Sequence, residues 1–358
     1  MNNKAVIAMS GGVDSSVAAY LMKQRGFDCI GVTMKLFANE DIGVSREHSC
    51  CSLDDVEDAR SVAYSLDMPY YVFNFSDRFE TDVIDRFIHA YENGITPNPC
   101  IDCNRYLKFD KLYMRAKELD RDYVVTGHYA RVEKDENGRF LLKKALDDTK
   151  DQSYVLYCLT QEQLSHTIFP LGEMRKSQAR EIAEAQGFIN ARKADSQDIC
   201  FVQNGSYADF IEQYTGKNYP DGDFLDTEGN VIGRHKGVIR YTVGQRKGLG
   251  ISAPEPLYVK AVDPVSNTVT LSYNDGLYSS VVKAGDINLI SVPEIKGEMR
   301  VKAKVRYRHT EQWATVTQNG DTLTAVFDEP QRAVTCGQAL VLYDGDIVVG
   351  GGTIIEVE

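Results

Sequence analysis

Two parts of this chain hold residues whose types and spacing could do chemistry. One is the run Ser10-Gly11-Gly12-Val13-Asp14-Ser15-Ser16; the other is three cysteines, Cys100, Cys103 and Cys200. The run sits between an apolar segment that reads as a strand and a segment of helical period, the context a phosphate-binding loop needs. Its glycines let the backbone approach anionic oxygens, and the helix start at Asp14-Ser15-Ser16 offers N–H groups to them. The Lys-Ser/Thr ending of a Walker loop is missing. A loop without that lysine suits a departing pyrophosphate, so the implied chemistry is adenylation, in which a substrate oxygen attacks the α-phosphate of ATP. A Gly-Gly turn with a Ser/Asp helix cap is the bland alternative; the flanking strand and helix favour the phosphate loop.

Thr96-Pro97-Asn98-Pro99-Cys100-Ile101-Asp102-Cys103-Asn104 is a proline-set turn presenting Cys-x-x-Cys, with Arg105 and Lys108 beside it. Cys200 follows in Asp195-Ser196-Gln197-Asp198-Ile199-Cys200-Phe201, with Arg192 and Lys193 upstream. The thiolate is the reactive form of cysteine, and nearby cations favour it. A structural zinc half-site is the competing reading, but Cys50 and Cys51 are adjacent and do not supply a second pair at ligand spacing. Cys29, Cys158 and Cys336 lie in apolar or β-like runs and read as packing residues. Loop and thiols together suggest an enzyme that activates an oxygen with ATP and uses cysteine to deliver its replacement.

Elements of defined type must position these groups. Ala5-Val6-Ile7-Ala8-Met9 is continuously apolar, as a strand buried on both faces should be. Val17, Ala18, Leu21 and Met22 recur at helical spacing until Gly26. Strands are expected at Cys29–Met34, Tyr70–Phe73 and Tyr123–Thr126, and helices over 54–66 and 77–91. Alternation of this kind implies a doubly wound parallel sheet. Past about residue 205 the pattern changes to short β-type runs, such as Tyr258–Val262, Thr268–Leu271 and Ala339–Tyr343, which suggest small barrel or sandwich modules. Boundaries are placed near Gly205 and Ser272.

The 358 residues predict two or three domains, and the formal charge of −12 makes nonspecific nucleic-acid binding unfavourable. Any RNA contact therefore needs a local basic face. Arg300, Lys302, Lys304, Arg306 and Arg308 occupy alternate positions, with Val301, Ala303, Val305 and Tyr307 between them. Period two predicts one cationic strand face, a candidate phosphate-tracking surface rather than only a charge-protected edge. His235, Lys236, Arg240, Arg246 and Lys247 could extend it. No signal peptide or long apolar run is evident, and the cysteines are too sparse for a disulfide scaffold, so a cytoplasmic location and no membrane association are expected.

With these residues in place, the chain closely resembles the tRNA-specific 2-thiouridylases of the ATP-pyrophosphatase group. The resemblance runs through the 10–16 loop, Thr96–Pro99 with Cys103-Asn104, Gly127-His128-Tyr129-Ala130-Arg131 and Lys150-Asp151-Gln152-Ser153-Tyr154. It continues through Asp195-Ser196 with Ile199-Cys200-Phe201, the stretch Tyr241–Gly250, and Gly350-Gly351-Gly352. It implies a Rossmann-like α/β domain of the adenine nucleotide alpha hydrolase type over 1–205, a small central β-rich domain over 206–272 and a C-terminal β-barrel over 273–358. It further implies ATP-dependent 2-thiolation of the wobble uridine of lysine, glutamate and glutamine tRNAs.

By that resemblance Ala8, Met9, Ser10, Gly11, Gly12, Val13, Asp14, Ser15, Met34 and Gly127 bind ATP with Mg²⁺. Asn98, Pro99 and Cys100 contact the target base, and Lys150, Asp151, Gln152, Arg306 and Tyr307 contact tRNA. Cys200 carries a persulfide reloaded by a sulfur-carrier protein, Cys103 is the nucleophile, and a Cys103–Cys200 disulfide is reset by reduction. No assembly beyond a monomer is required. Many members carry aspartate where this chain has Cys100; Asp102 is the neighbouring carboxylate that could substitute. The change also opens a runner-up in which Cys100, Cys103 and Cys200 ligate a [4Fe–4S] cluster. An amide-forming synthetase would share the loop without needing the thiols, and a noncatalytic RNA binder would release no pyrophosphate; the three cysteines argue against both.

Overall fold

The structure is a computed structural model that describes residues 2–37, 53–195, 199–202 and 206–358. Cys50, Cys51, the 196–198 part of the Cys200 motif and the Gly205 boundary lie outside the described residues. The chain divides into two compact units: residues 1–83, 99–204 and 345–349, and residues 84–98, 205–344 and 350–358.

The first unit is built on the apolar run, which forms β1 (Lys4–Ala8). Val6 and Ile7 have no solvent exposure, as a central parallel strand requires. After β1 come α1 (Val13–Gln24), β2 (Asp28–Lys35), α2 (Leu53–Ser65), β3 (Tyr70–Asn74) and, later, β4 (Tyr123–Val125). All sheet pairings are parallel, with spatial order β3, β2, β1, β4 and then Thr167–Ile168. Gly26 ends α1 with φ of 78°, its left-handed backbone and the Phe27 N–H returning to Met22 O closing the last turn. Val17, Ala18, Met22, Ala59, Val62 and Ala63 bury the facing sides of α1 and α2. The helix expected over 77–91 is a helical run from Ser76 to Glu92 with a π turn at Glu80–Ile84. Strand order reverses between β1 and β4, so a crevice opens beyond their carboxyl ends, where open α/β sheets bind ligands.

The second unit contains a four-stranded sheet ordered Tyr258–Asp263, Thr268–Ser272, Gly222–Leu225, Val231–His235, packed around Phe224, Val259, Val269 and Leu271. The C-terminal part of the chain is a six-stranded barrel in the order Tyr278–Leu289, Thr322–Arg332, Gln312–Asn319, Met299–Lys304, Ala339–Asp344, Ile347–Val357. Pairing of the first strand with the last closes it, Val282 facing Val357. Closure removes the exposed edges that an open antiparallel sheet would leave.

The basic strand is shorter and less free than its sequence suggests. It ends at Lys304, and Arg306, Tyr307 and Arg308 lie in the following turn. Val301, Ala303 and Val305 are buried as expected, but Tyr307 is exposed. Neighbouring segments bring carboxylates to the cations: Arg300 pairs with Asp328, and Lys302 lies 3.6 Å from Glu311. Arg306 points inward, its Nη2 donating to Val243 O (3.0 Å), Thr335 Oγ1 (2.5 Å) and Ala333 O. His235 is fully buried against Asn267 O, Lys236 pairs with Asp221, and Arg240 with Asp209 and Glu212. A sequence shows charge along one strand only; the pairing strands decide how much of it stays unbalanced.

Candidate active site

A cavity of about 340 Å³ lies in the first unit at the predicted crevice. Its walls include Ala8, Met9, Ser10, Asp14 and Ser15 from the loop after β1, Thr33 and Met34 from β2, and Thr126, Gly127 and His128 after β4. Pro99, Cys100, Cys103 and Lys108 also line it, as do Ile199, Cys200 and Phe201. The three singled-out cysteines, Cys200 nearly a hundred residues from the other two, therefore share one cavity with the phosphate loop.

The loop is braced from within and behind. Ser15 Oγ and Ser16 Oγ donate to Gly12 O at 3.0 and 3.1 Å, and Ser10 N donates to Ser15 Oγ at 3.2 Å. Gly11 has φ of 73°, and a Cβ there would fall 2.4 Å from Asp55 O. Only glycine gives both that backbone and that clearance. Gly11, Gly12 and Val13 are not among the cavity-lining residues; Val13 is buried in the core behind the loop. Gly127 closes the crevice from the β4 side, since a Cβ there would lie 2.7 Å from Asp14 C and 2.8 Å from Ser15 N.

Ion pairs tie this loop to the segment leading to Cys200. Lys176 Nζ lies 2.7 Å from both Asp14 carboxylate oxygens and 2.8 Å from Asp195 Oδ1. Tyr129 OH donates to Asp14 Oδ1 at 2.8 Å. Asp195 also holds Lys150 and Arg180, each at 2.9 Å. Partial burial pushes the Asp195 carboxyl up, but hydrogen bonds from Lys176 and Lys150 outweigh this and hold it at about 2. Asn190 Nδ2 donates to Gly11 O and Ser16 Oγ, both at 2.9 Å, and Lys193 Nζ reaches Asp55, Asp58 and Gly11 O. Lys193 thus serves α2 and the loop and does not line the cavity with Cys200.

Around the thiols the wall is mostly apolar and carries one cation among its described residues, Lys108. Its ammonium donates to Asn104 Oδ1 at 3.1 Å, while Asn104, 1% exposed, donates to Val155 O at 2.9 Å. Cys100 is accessible and Cys103 is buried at 8% exposure. Accessibility and desolvation point different ways at Cys100, which is exposed and lines the cavity yet has protein packed around it. Surrounding protein therefore pushes its thiol up, and Lys108 pulls it down. His128 stays neutral: burial and Lys108 hold its imidazole well below the usual range, and Nδ1 lies 2.7 Å from Thr126 Oγ1. Asp102 is not among the lining residues; its charge acts on Cys158, which is buried beneath Ile101 O. The structure thus gives no support to Asp102 as a carboxylate in the cavity.

The remaining expected residues are distributed as follows. Gln152 lines the cavity and accepts from Tyr129 N at 3.0 Å. Asp151 accepts from Ala145 N and from Ser153 N and Oγ, which fixes a local turn. Asn98, Arg306 and Tyr307 belong to the second unit. Among the described residues no group of three or more His, Cys, Asp or Glu side chains is placed to hold a metal ion. Sequence reasoning missed Lys176 and Asn190. Lys176 is the first residue of the helix Lys176–Ala185, where the helix dipole disfavours a cation; that misplaced charge was the available signal.

A family model described as "tRNA methyl transferase HUP domain" matches residues 3–204. Two more, described as "tRNA methyl transferase PRC-barrel domain" and "Aminomethyltransferase beta-barrel domain", match residues 208–273 and 279–354. The chain is 52% identical to the tRNA-specific 2-thiouridylase MnmA of Clostridioides difficile (strain 630), covering 99% of this chain and 98% of that one. It is 52% identical to the enzyme of that name in Lachnoclostridium phytofermentans, covering 99% of both, and 48% identical to that of Clostridium perfringens (strain 13), covering 98% of both. Identity at this level along the whole chain, with the loop and cysteines set around one cavity, makes this protein a member of the tRNA-specific 2-thiouridylase family.

Proposed function

We propose that this protein is an ATP-dependent tRNA-uridine 2-sulfurtransferase that converts the wobble uridine to 2-thiouridine, releasing AMP and pyrophosphate. The carrying observation is the shared cavity, lined both by Ser10, Asp14, Ser15 and Gly127 and by Cys100, Cys103 and Cys200. The loop's backbone N–H groups and α1 receive the phosphates of ATP, and uracil O2 attacks the α-phosphate. Esterified by AMP, that oxygen becomes a leaving group. Cys103 attacks the inner sulfur of a Cys200 persulfide, forming a Cys103–Cys200 disulfide; the released outer sulfur displaces AMP from C2. Mg²⁺ enters with the phosphates of ATP, as it commonly does.

Asn98, Pro99 and Cys100 are assigned to the target base, and Lys150, Gln152 and Tyr307 to tRNA. Asp151 and Arg306 support these surfaces from within the fold, given the hydrogen bonds they make. The domain division is proposed at 1–205, 206–272 and 273–358. A sulfur-carrier protein reloads Cys200, and the chain acts as a monomer in the cytoplasm. No helix of the described residues is long and apolar enough to cross a membrane.

The test is incubation with ATP, Mg²⁺, a sulfide source and unmodified tRNA, followed by digestion to nucleosides. 2-Thiouridine should appear, and should be lost in Cys103→Ala and Cys200→Ala. An enzyme that releases pyrophosphate but retains full activity without both thiols would be a different member of the loop's superfamily.

A further inference from the structure

The sulfur-transfer scheme uses two thiols, yet three line the cavity. Cys100 is the most exposed of them, Cys200 being half-buried and Cys103 buried, and it is close in the chain to Cys103. Both lie on the helical run that begins with Pro99–Asp102 and continues from Cys103, one turn apart. Helix geometry separates Cα atoms three residues apart by about 5 Å, within the range a disulfide spans. Side chains three apart also share a helix face. Lys108 lies on the same run and lines the same cavity. A thiolate beside a disulfide, held at high effective concentration, is the arrangement for thiol–disulfide exchange.

We propose that Cys100 is a resolving thiol, which moves the disulfide off Cys200 after each sulfur transfer. The proposal rests on the sulfurtransferase reading above. The Cys100 thiolate attacks Sγ of Cys103 in the Cys103–Cys200 disulfide. A Cys100–Cys103 bond forms as the Cys103–Cys200 bond breaks, and the electron pair leaves on Cys200, which takes the proton Cys100 gave up. No net oxidation occurs in this exchange. Cys200 is then a thiol ready for reloading, while an external dithiol reductant supplies two electrons to restore Cys100 and Cys103. Reloading and reduction thereby act on different residues and need not wait for each other.

The experiment is a single turnover of persulfide-loaded enzyme with ATP, Mg²⁺ and unmodified tRNA, without reductant. Thiols are blocked with N-ethylmaleimide and the protein is digested and read by non-reducing mass spectrometry, with nucleosides read in parallel. Cys100 and Cys103 share one tryptic peptide, so their disulfide appears as that peptide two mass units light and unlabelled, with Cys200 labelled. In Cys100→Ser the cross-linked Cys103–Cys200 peptide should accumulate instead, at least tenfold over the native chain.

Formation of 2-thiouridine with the bond remaining at Cys103–Cys200 and Cys100 labelled would overturn the inference alone. 2-Thiouridine formed with all three cysteines labelled would overturn it too, since no disulfide would then pass through the site. Absence of 2-thiouridine from the native chain would instead overturn the sulfurtransferase reading, and the inference with it. The native-chain arm decides the matter even if Cys100→Ser fails to fold.

Discussion

Replacing Lys176 by methionine removes the ammonium that joins Asp14 of the phosphate loop to Asp195. The lysine side chain is 10% exposed and those of Asp14 and Asp195 are 31% and 25% exposed. Asp195 keeps Lys150 and Arg180, whereas Asp14 keeps the Tyr129 hydroxyl. Removing one partner of a buried pair costs about 3–5 kcal/mol, and the partial exposure of both carboxylates sets this case near the lower end, about 3 kcal/mol. For a unit of this size that is a fall of about 6–12 °C in the thermal transition. The uncompensated Asp14 carboxylate also lines the cavity proposed to receive the ATP phosphates, so ATP affinity should fall at least tenfold. Calorimetry of Lys176→Met, Asp14→Asn and the double variant gives the coupling directly. Asp14→Asn should recover more than half of the stability lost in Lys176→Met. A loss below about 1 kcal/mol, or strictly additive effects, would refute the reasoning, because the pair would then be acting as a surface ion pair.

Other substitutions separate the parts of the molecule. Gly127→Ala places a Cβ 2.7 Å from Asp14 C, so equilibrium dialysis should show ATP binding reduced at least tenfold. Arg306→Ala removes the donor to Val243 O and Thr335 Oγ1, Ala333 O keeping the Thr335 hydroxyl, and should destabilise the second unit by about 2–3 kcal/mol in urea titration, with ATP binding by the first unit unchanged. Asp195 is held at about 2, below the ordinary carboxyl value near 3.9 in the unfolded chain. Its contribution to stability is therefore complete above about pH 4 and lost as pH falls towards 2. Thermal scans across that window should show a shallower acid slope in Asp195→Asn than in the native chain.

Much of the site's chemistry was legible in the sequence because it resides in residue types and local order. The apolar run before Ser10 and the helical period after it specify a strand, a glycine turn and a helix start, and nothing distant is needed to recognise a phosphate loop there. The barrel strands were legible only as β runs. Their closure depends on Val282 meeting Val357, a pairing across the whole C-terminal segment. The cationic strand was misread in part because alternation reports which face a residue takes, not which carboxylates neighbouring strands bring to it. Arg306 shows this most clearly, turned inward onto Ala333 O and Thr335.

By itself, the sequence determined the loop, the thiols and the order of strands and helices, since backbone conformation and hydrophobic period are local properties. Tertiary structure alone decided that Cys100 and Cys200 line one cavity, that Asp102 is not among its lining residues, and that Lys176 bridges Asp14 and Asp195. Those facts follow from where the sheet reverses its order and which segments fold back over that crevice. Charge and reactivity depend on neighbours brought from afar, and only the packed chain supplies them.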